Sequence, residues 1–155
     1  MRKILKLTVL VSVALISLLP FALAADIPET ITVSGSCSID VDTSAIGFGA
    51  VAPGSTSSPD VTKTVSLSTN DAPSDVDISG TIWTGSSHTM SVGATEYELD
   101  TVVGFSSLDT TPALLFSSST STSHDVALHV VVPANQGADV YSQTLTFQVS
   151  CNQQV

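Results

Sequence analysis

Three histidines, two cysteines and fourteen acidic residues are the side chains of this 155-residue chain most suited to holding a metal or moving a proton. His124 and His129 are five apart in a strand-like stretch, so they point to opposite faces and cannot share a metal; His88 stands alone. Asp40 with Asp42, Asp75 with Asp77, and Glu96 with Glu98 and Asp100 are spaced two apart. On a strand each set lies on one side and offers hard oxygen ligands, with no cation nearby in sequence to neutralise them, which suits calcium. No twelve-residue calcium loop is present, so the solvated face of a strand is the competing reading, and a calcium ion would sit at subunit junctions. Serine and threonine are abundant, yet there is no Gly-x-Ser-x-Gly elbow, phosphate-binding glycine loop or His-Glu-x-x-His pair. We therefore expect no enzyme and no required cofactor, calcium being the one candidate.

The cysteines depend on where the chain goes. Arg2, Lys3 and Lys6 precede an apolar run from Ile4 to Leu23 that ends in the small-x-small step Ala22-Leu23-Ala24. Ser12, Ser17 and Pro20 interrupt the run, which favours a signal peptide over residues 1–24, cut after Ala24, rather than a retained membrane helix. In an exported chain the even pair Cys37 and Cys151 is most economically one disulfide, since neither has a second Cys or a His at metal-ligand spacing. Closing that loop contributes about 4 to 5 kcal/mol on a chain-entropy model.

Cleavage would leave Lys63 as the only Lys or Arg among fourteen acids, a formal charge of 1 − 14 = −13. Such a chain repels phosphate backbones and anionic lipid, so we expect neither nucleic-acid binding nor a membrane association once the leader is gone. Its surface should be acidic and soluble, and its place extracellular or at the cell surface.

The elements that carry these residues read as strands. Hydroxyl and β-branched side chains disfavour helix, and no sustained three-to-four-residue apolar period occurs after residue 24. Ile27–Ser34, Cys37–Val41, Val61–Thr69 and Val76–Ile82 alternate apolar and polar, and Val126–Val132 is almost continuously apolar. Tyr141–Cys151 places Leu145, Phe147, Val149 and Cys151 on one face. Ile46–Pro53 reads as a short strand with a glycine-rich bend, Ala113–Phe116 as another, and Ser117–Ser123 as a solvated low-complexity stretch. Seven to nine short strands, no helix and one long-range disulfide describe an all-β protein, an antiparallel β-sandwich of immunoglobulin-like or jelly-roll-like type. Trp83 and Tyr141 read as core or corner packing.

The segment Ile46-Gly47-Phe48-Gly49-Ala50-Val51-Ala52-Pro53-Gly54 and the ending Val132-Pro133 through Tyr141-Ser142-Gln143-Thr144-Leu145-Thr146-Phe147 resemble small secreted β-sandwich proteins of archaea and bacteria. These are the archaeal bundling pilins, the camelysin-like matrix-fibre proteins and, more distantly, the spore coat protein U-like pilins. The resemblance implies a structural subunit of an extracellular filament, pilus or surface layer, assembled from copies of itself by donation of an N-terminal strand. Residues 25–35 would then be the donor strand, with Ile27, Ile31 and Val33 filling a neighbour's groove, and residues 36–155 the sandwich domain. The same strand could equally pair within its own subunit as an ordinary edge. An anchor protein would supply attachment to a cell. The alternative is a monomeric secreted binding module for calcium or glycan.

Overall fold

The computed structural model describes residues 35–70 and 72–152. The expected leader, residues 1–24, and the expected donor strand with Ile27, Ile31 and Val33 lie outside the described residues. Ten strands follow in order: β1 Ser36–Val41, β2 Val61–Asn70, β3 Ser74–Gly80, β4 Trp83–Thr84, β5 Thr89–Met90, β6 Thr95–Leu99, β7 Ser106–Ser107, β8 Ala113–Ser118, β9 Thr122–Val130 and β10 Leu145–Cys151. The described residues contain no α-helix, only a three-residue 3-10 turn at Val92–Ala94. This is an all-β protein, as its hydroxyl-rich, β-branched composition predicts.

Every strand pairing is antiparallel. One sheet has five strands in the order β1-β2-β9-β6-β7, a second has three in the order β10-β3-β8, and β4 and β5 form a small hairpin. The chain changes sheet between β2 and β3, through Ala72 and Pro73. Ala72 is buried there, and its carbonyl accepts from the hydroxyls of Thr69 (2.6 Å) and Ser74 (2.9 Å).

One core takes side chains from both sheets. Val65 and Leu67 of β2, Leu99 of β6, and Val126 and Leu128 of β9 meet Val76 and Ile78 of β3 and Leu115 and Phe116 of β8, with Leu108 between. The period-2 alternation of β2 and β3 puts these residues inward and their hydroxyl or carboxylate neighbours outward. β8 departs from alternation: a register shift opposite Val76 and Asp77 lets the consecutive Leu115 and Phe116 both reach the core. Gly80 is fixed by packing, since a Cβ there would run into the Leu108 side chain.

Two expectations are corrected. Ile46–Pro53 forms no strand: Gly49, at φ 70°, turns the backbone out of the extended region, and no neighbouring strand pairs with the segment. Ile46 and Phe48 still pack on the core, so its apolar spacing marks packing and not a ladder. The Ser/Thr stretch before His124 is not purely loop, because Thr122 and Ser123 belong to β9, where they stand opposite Leu67 and Ser66 of β2.

Candidate functional site

β1 and β10 are the edges of their respective sheets, and they lie side by side. Their inward-facing side chains, Cys37, Ile39 and Val41 on one and Leu145, Phe147 and Val149 on the other, are only half-buried, whereas those of β2, β3 and β9 are fully buried. Among the described residues, the two edge strands therefore cover the core less completely along this seam than the central strands do elsewhere. At one end of it Cys37 and Cys151 form the expected disulfide, with Cα atoms 5.7 Å apart.

The backbone of β10 is also half-used. The Thr81 N–H donates to the Thr144 carbonyl (3.0 Å) and the Asn152 N–H to the Pro73 carbonyl (2.7 Å), so even-numbered residues face β3. By the alternation of an antiparallel ladder, Leu145, Phe147 and Val149 direct N–H and C=O away from β3. No strand pairs with that side among the described residues.

At the end of the seam away from the disulfide, Val41 of β1 and Leu145 of β10 line a groove of about 650 Å³. Its apolar lining includes Val41, Ile46, Phe48, Leu128, Leu145 and Phe147. Trp83 and Tyr141 also line it, and both pack against the smaller buried cluster of Met90, Ala94 and Val130, in keeping with the packing reading of these aromatics. The Trp83 indole N–H donates to Thr95 Oγ1 (3.0 Å), Thr95 Oγ1 to Gln143 Oε1 (2.7 Å), and the Tyr141 hydroxyl to the Gly137 carbonyl (2.6 Å). Phe48 meets Trp83 edge-on at 6.2 Å.

Lys63 also lines the groove. It follows the inward phase of Val65 and Leu67 and is 5% exposed. Its ammonium donates to Asp42 Oδ2 (3.1 Å), the Ser44 carbonyl (2.7 Å) and Ser44 Oγ (2.7 Å), which accounts for all three protons. The Ser44 N–H, the Ser44 hydroxyl and then Lys63 hold the Asp42 carboxyl down at about 2. The chain after β1 is thus tied to β2 beside the groove.

The remaining acids and histidines sit elsewhere. His124 and His129 lie on opposite faces of β9, as alternation dictates. His124 Nδ1 is 2.9 Å from Asp100 Oδ1, and the ring packs on Phe116. His129 Nε2 is 2.9 Å from Glu96 Oε2, its Nδ1 is 3.4 Å from Asp60 Oδ1, and its ring lies 3.9 Å from that of Phe105. Asp75 accepts from Ser117 Oγ and Asn152 Nδ2 (2.7 Å), and Glu98 accepts from the Gly104 N–H (2.6 Å). Asp40 stands opposite Ser66, and Asp77 opposite Gln148 and Leu114. The acids were expected to have no basic neighbour, but Asp42, Glu96 and Asp100 each have one, because strand pairing brings distant residues together. Among the described residues no three His, Cys, Asp or Glu side chains converge in a way that could hold a metal ion.

Asp139 was not singled out by its sequence position. Its carboxylate accepts from Ser86 Oγ (2.8 Å), the Ser87 N–H (2.8 Å), the His88 N–H (3.3 Å) and the Val140 N–H (2.8 Å), with a side chain only 7% exposed. The Ser87 N–H and the Ser86 hydroxyl, the largest contributions, hold it well below the usual carboxylate range. This latches the β4–β5 turn to the loop before β10.

No protein-family model matches the chain, and no curated protein matches it significantly. No helix among the described residues is long and apolar enough to cross a membrane, and the disulfide suits an oxidising compartment.

Proposed function

We propose that the chain is a secreted, non-enzymatic structural subunit of an extracellular filament or surface layer, built as an immunoglobulin-like or jelly-roll-like β-sandwich lacking one strand. Residues 27–33 of one copy supply that strand to the next, with Ile27, Ile31 and Val33 in its groove. The observation that carries this reading is the seam: two half-buried edge strands, β1 and β10, flank an apolar groove, and one side of the β10 backbone has no strand partner among the described residues. An extended peptide that adds to such an edge gains main-chain hydrogen bonds and buries alternate side chains. β10 offers seven residues, and Ile27–Val33 is seven long.

Electron microscopy of the mature chain, Ala25–Val155, tests it. Regular filaments are expected, and removal of residues 27–33 should abolish them while leaving a folded monomer. Persistent single particles at high concentration, with and without calcium, would turn the assignment to a binding module.

A further inference from the structure

The apolar face of residues 27–33 has one interruption. Ile27, Glu29, Ile31 and Val33 alternate onto the same side of an extended strand, so a neighbour that buries the three apolar side chains also takes in a carboxylate. An ionised carboxyl carried into a dry groove without a partner costs more than one buried apolar side chain returns. Beyond residue 24 the chain has a single Lys or Arg, Lys63, and Lys63 lines the groove. The three imidazoles are the other basic side chains. None lines the groove, and each already faces a carboxylate: Asp139 at 3.6 Å from His88, Asp100 at 2.9 Å from His124 and Glu96 at 2.9 Å from His129.

Resting on the donor-strand reading, we propose that Glu29 of one copy pairs with Lys63 of the next and thereby sets the register in which the strand enters. Two of the three acceptors on the Lys63 ammonium come from Ser44 and remain in place. The third, Asp42, is 59% exposed, so its carboxylate regains water when it gives up its place on Lys63. Glu29 takes its position, where an inserted strand excludes water and salt screens the pair far less. Ile27 and Ile31, about 6.7 Å to either side of Glu29 along a strand, meet the apolar walls that flank Lys63. A slip of one residue would turn Pro28, Thr30 and Thr32 into the groove and expose the apolar set, while a slip of two would bury Glu29 against those walls without a cation.

The occupant is a second copy. Only Ser34 and Gly35 separate Val33 from β1, and a two-residue hairpin would set Val33 opposite Ser36. Ile27, Ile31 and Val33 would then share the solvent face of Ser36, Ser38 and Asp40. Entry into another subunit carries no such constraint.

The test uses the mature chain in its parent, Glu29→Lys, Lys63→Glu and doubly substituted forms, with assembly followed by light scattering and folding checked by the thermal transition. Each single substitution should slow assembly at least tenfold, and the double should recover to within about threefold. Glu29→Gln and Lys63→Met, which remove charge without adding repulsion, should each slow assembly and serve if Lys63→Glu does not fold. A double variant no faster than the singles, or neutral variants that assemble at the parent rate, would overturn the pairing and leave strand donation standing. Failure of strand donation has a separate signature, assembly unchanged by removal of residues 27–33. Should the parent stay monomeric, a fluorescent peptide of residues 26–35 is titrated into it. Binding weakened tenfold by Glu29→Lys in the peptide and restored by Lys63→Glu in the chain upholds the pairing; equal binding of both peptides, or none, overturns it.

Discussion

Cys37 and Cys151 join β1 to β10 across the two sheets, their Cα atoms 5.7 Å apart, at one end of a seam whose other end lines the groove. The bond closes a loop of 114 residues and holds together two edges that no ladder connects.

Replacing both cysteines with serine should therefore lower stability by about 2 to 5 kcal/mol. Guanidinium unfolding of the parent and the double variant measures this. An unchanged midpoint would mean that packing between the sheets alone holds the seam.

Acid should destabilise the fold within a defined window. Asp42, Asp75, Asp100, Asp109 and Asp139 all have carboxyls held below the ordinary aspartate value of 3.8, by hydrogen bonds from Ser44, Ser117, His124, Thr111 and Ser87 respectively as the largest cause. The folded chain thus binds fewer protons than the unfolded one, and the stability these groups contribute is complete above about pH 5. It is lost as the pH falls from 3.8 towards the Asp42 value of about 2, and lower still for Asp139. Thermal midpoints should be level from pH 5 to 7 and fall steeply below pH 4, less steeply in Asp42→Asn. A level profile down to pH 2 would contradict this.

Two glycines separate packing from flexibility. An added Cβ at Gly80 meets Leu108 in the core, whereas one at Gly47 meets nothing within 4 Å. Gly80→Ala should cost about 1 to 3 kcal/mol. Gly47→Ala, outside the left-handed region, should be close to neutral or slightly stabilising. Urea titration of the two variants checks the contrast.

Much of this architecture is legible in the sequence because alternation is a local signal. β2, β3 and β10 appear as runs of apolar residues two apart, and β9 as a nearly continuous apolar run suited to the middle of a sheet. The disulfide follows from an even pair of cysteines in a chain whose first residues read as a signal peptide. Long-range placement is not local. Nothing around Lys63 indicates that the chain beyond β1 folds back to give its ammonium three acceptors. Asp139 looks like any loop acid until the β4–β5 turn presents the N–H groups of Ser87 and His88, 52 and 51 residues away in sequence. Ile46–Pro53 carries a strand pattern, but a strand also needs an edge to pair with, and Gly49 turns the segment away from one.

The position of the disulfide has a mechanical consequence. In a filament of the proposed kind, pulling force enters a subunit at the groove, beside Val41 and Leu145, and leaves through Gly35, two residues before Cys37. The cross-link stands at the exit, so tension arriving on β10 passes covalently into β1 and does not peel one sheet from the other. Load is shared by two strands in shear, the geometry in which hydrogen-bonded ladders break together and not one at a time. Such a fibre, once reduced, would lose strength under stretch well before it lost its shape at rest.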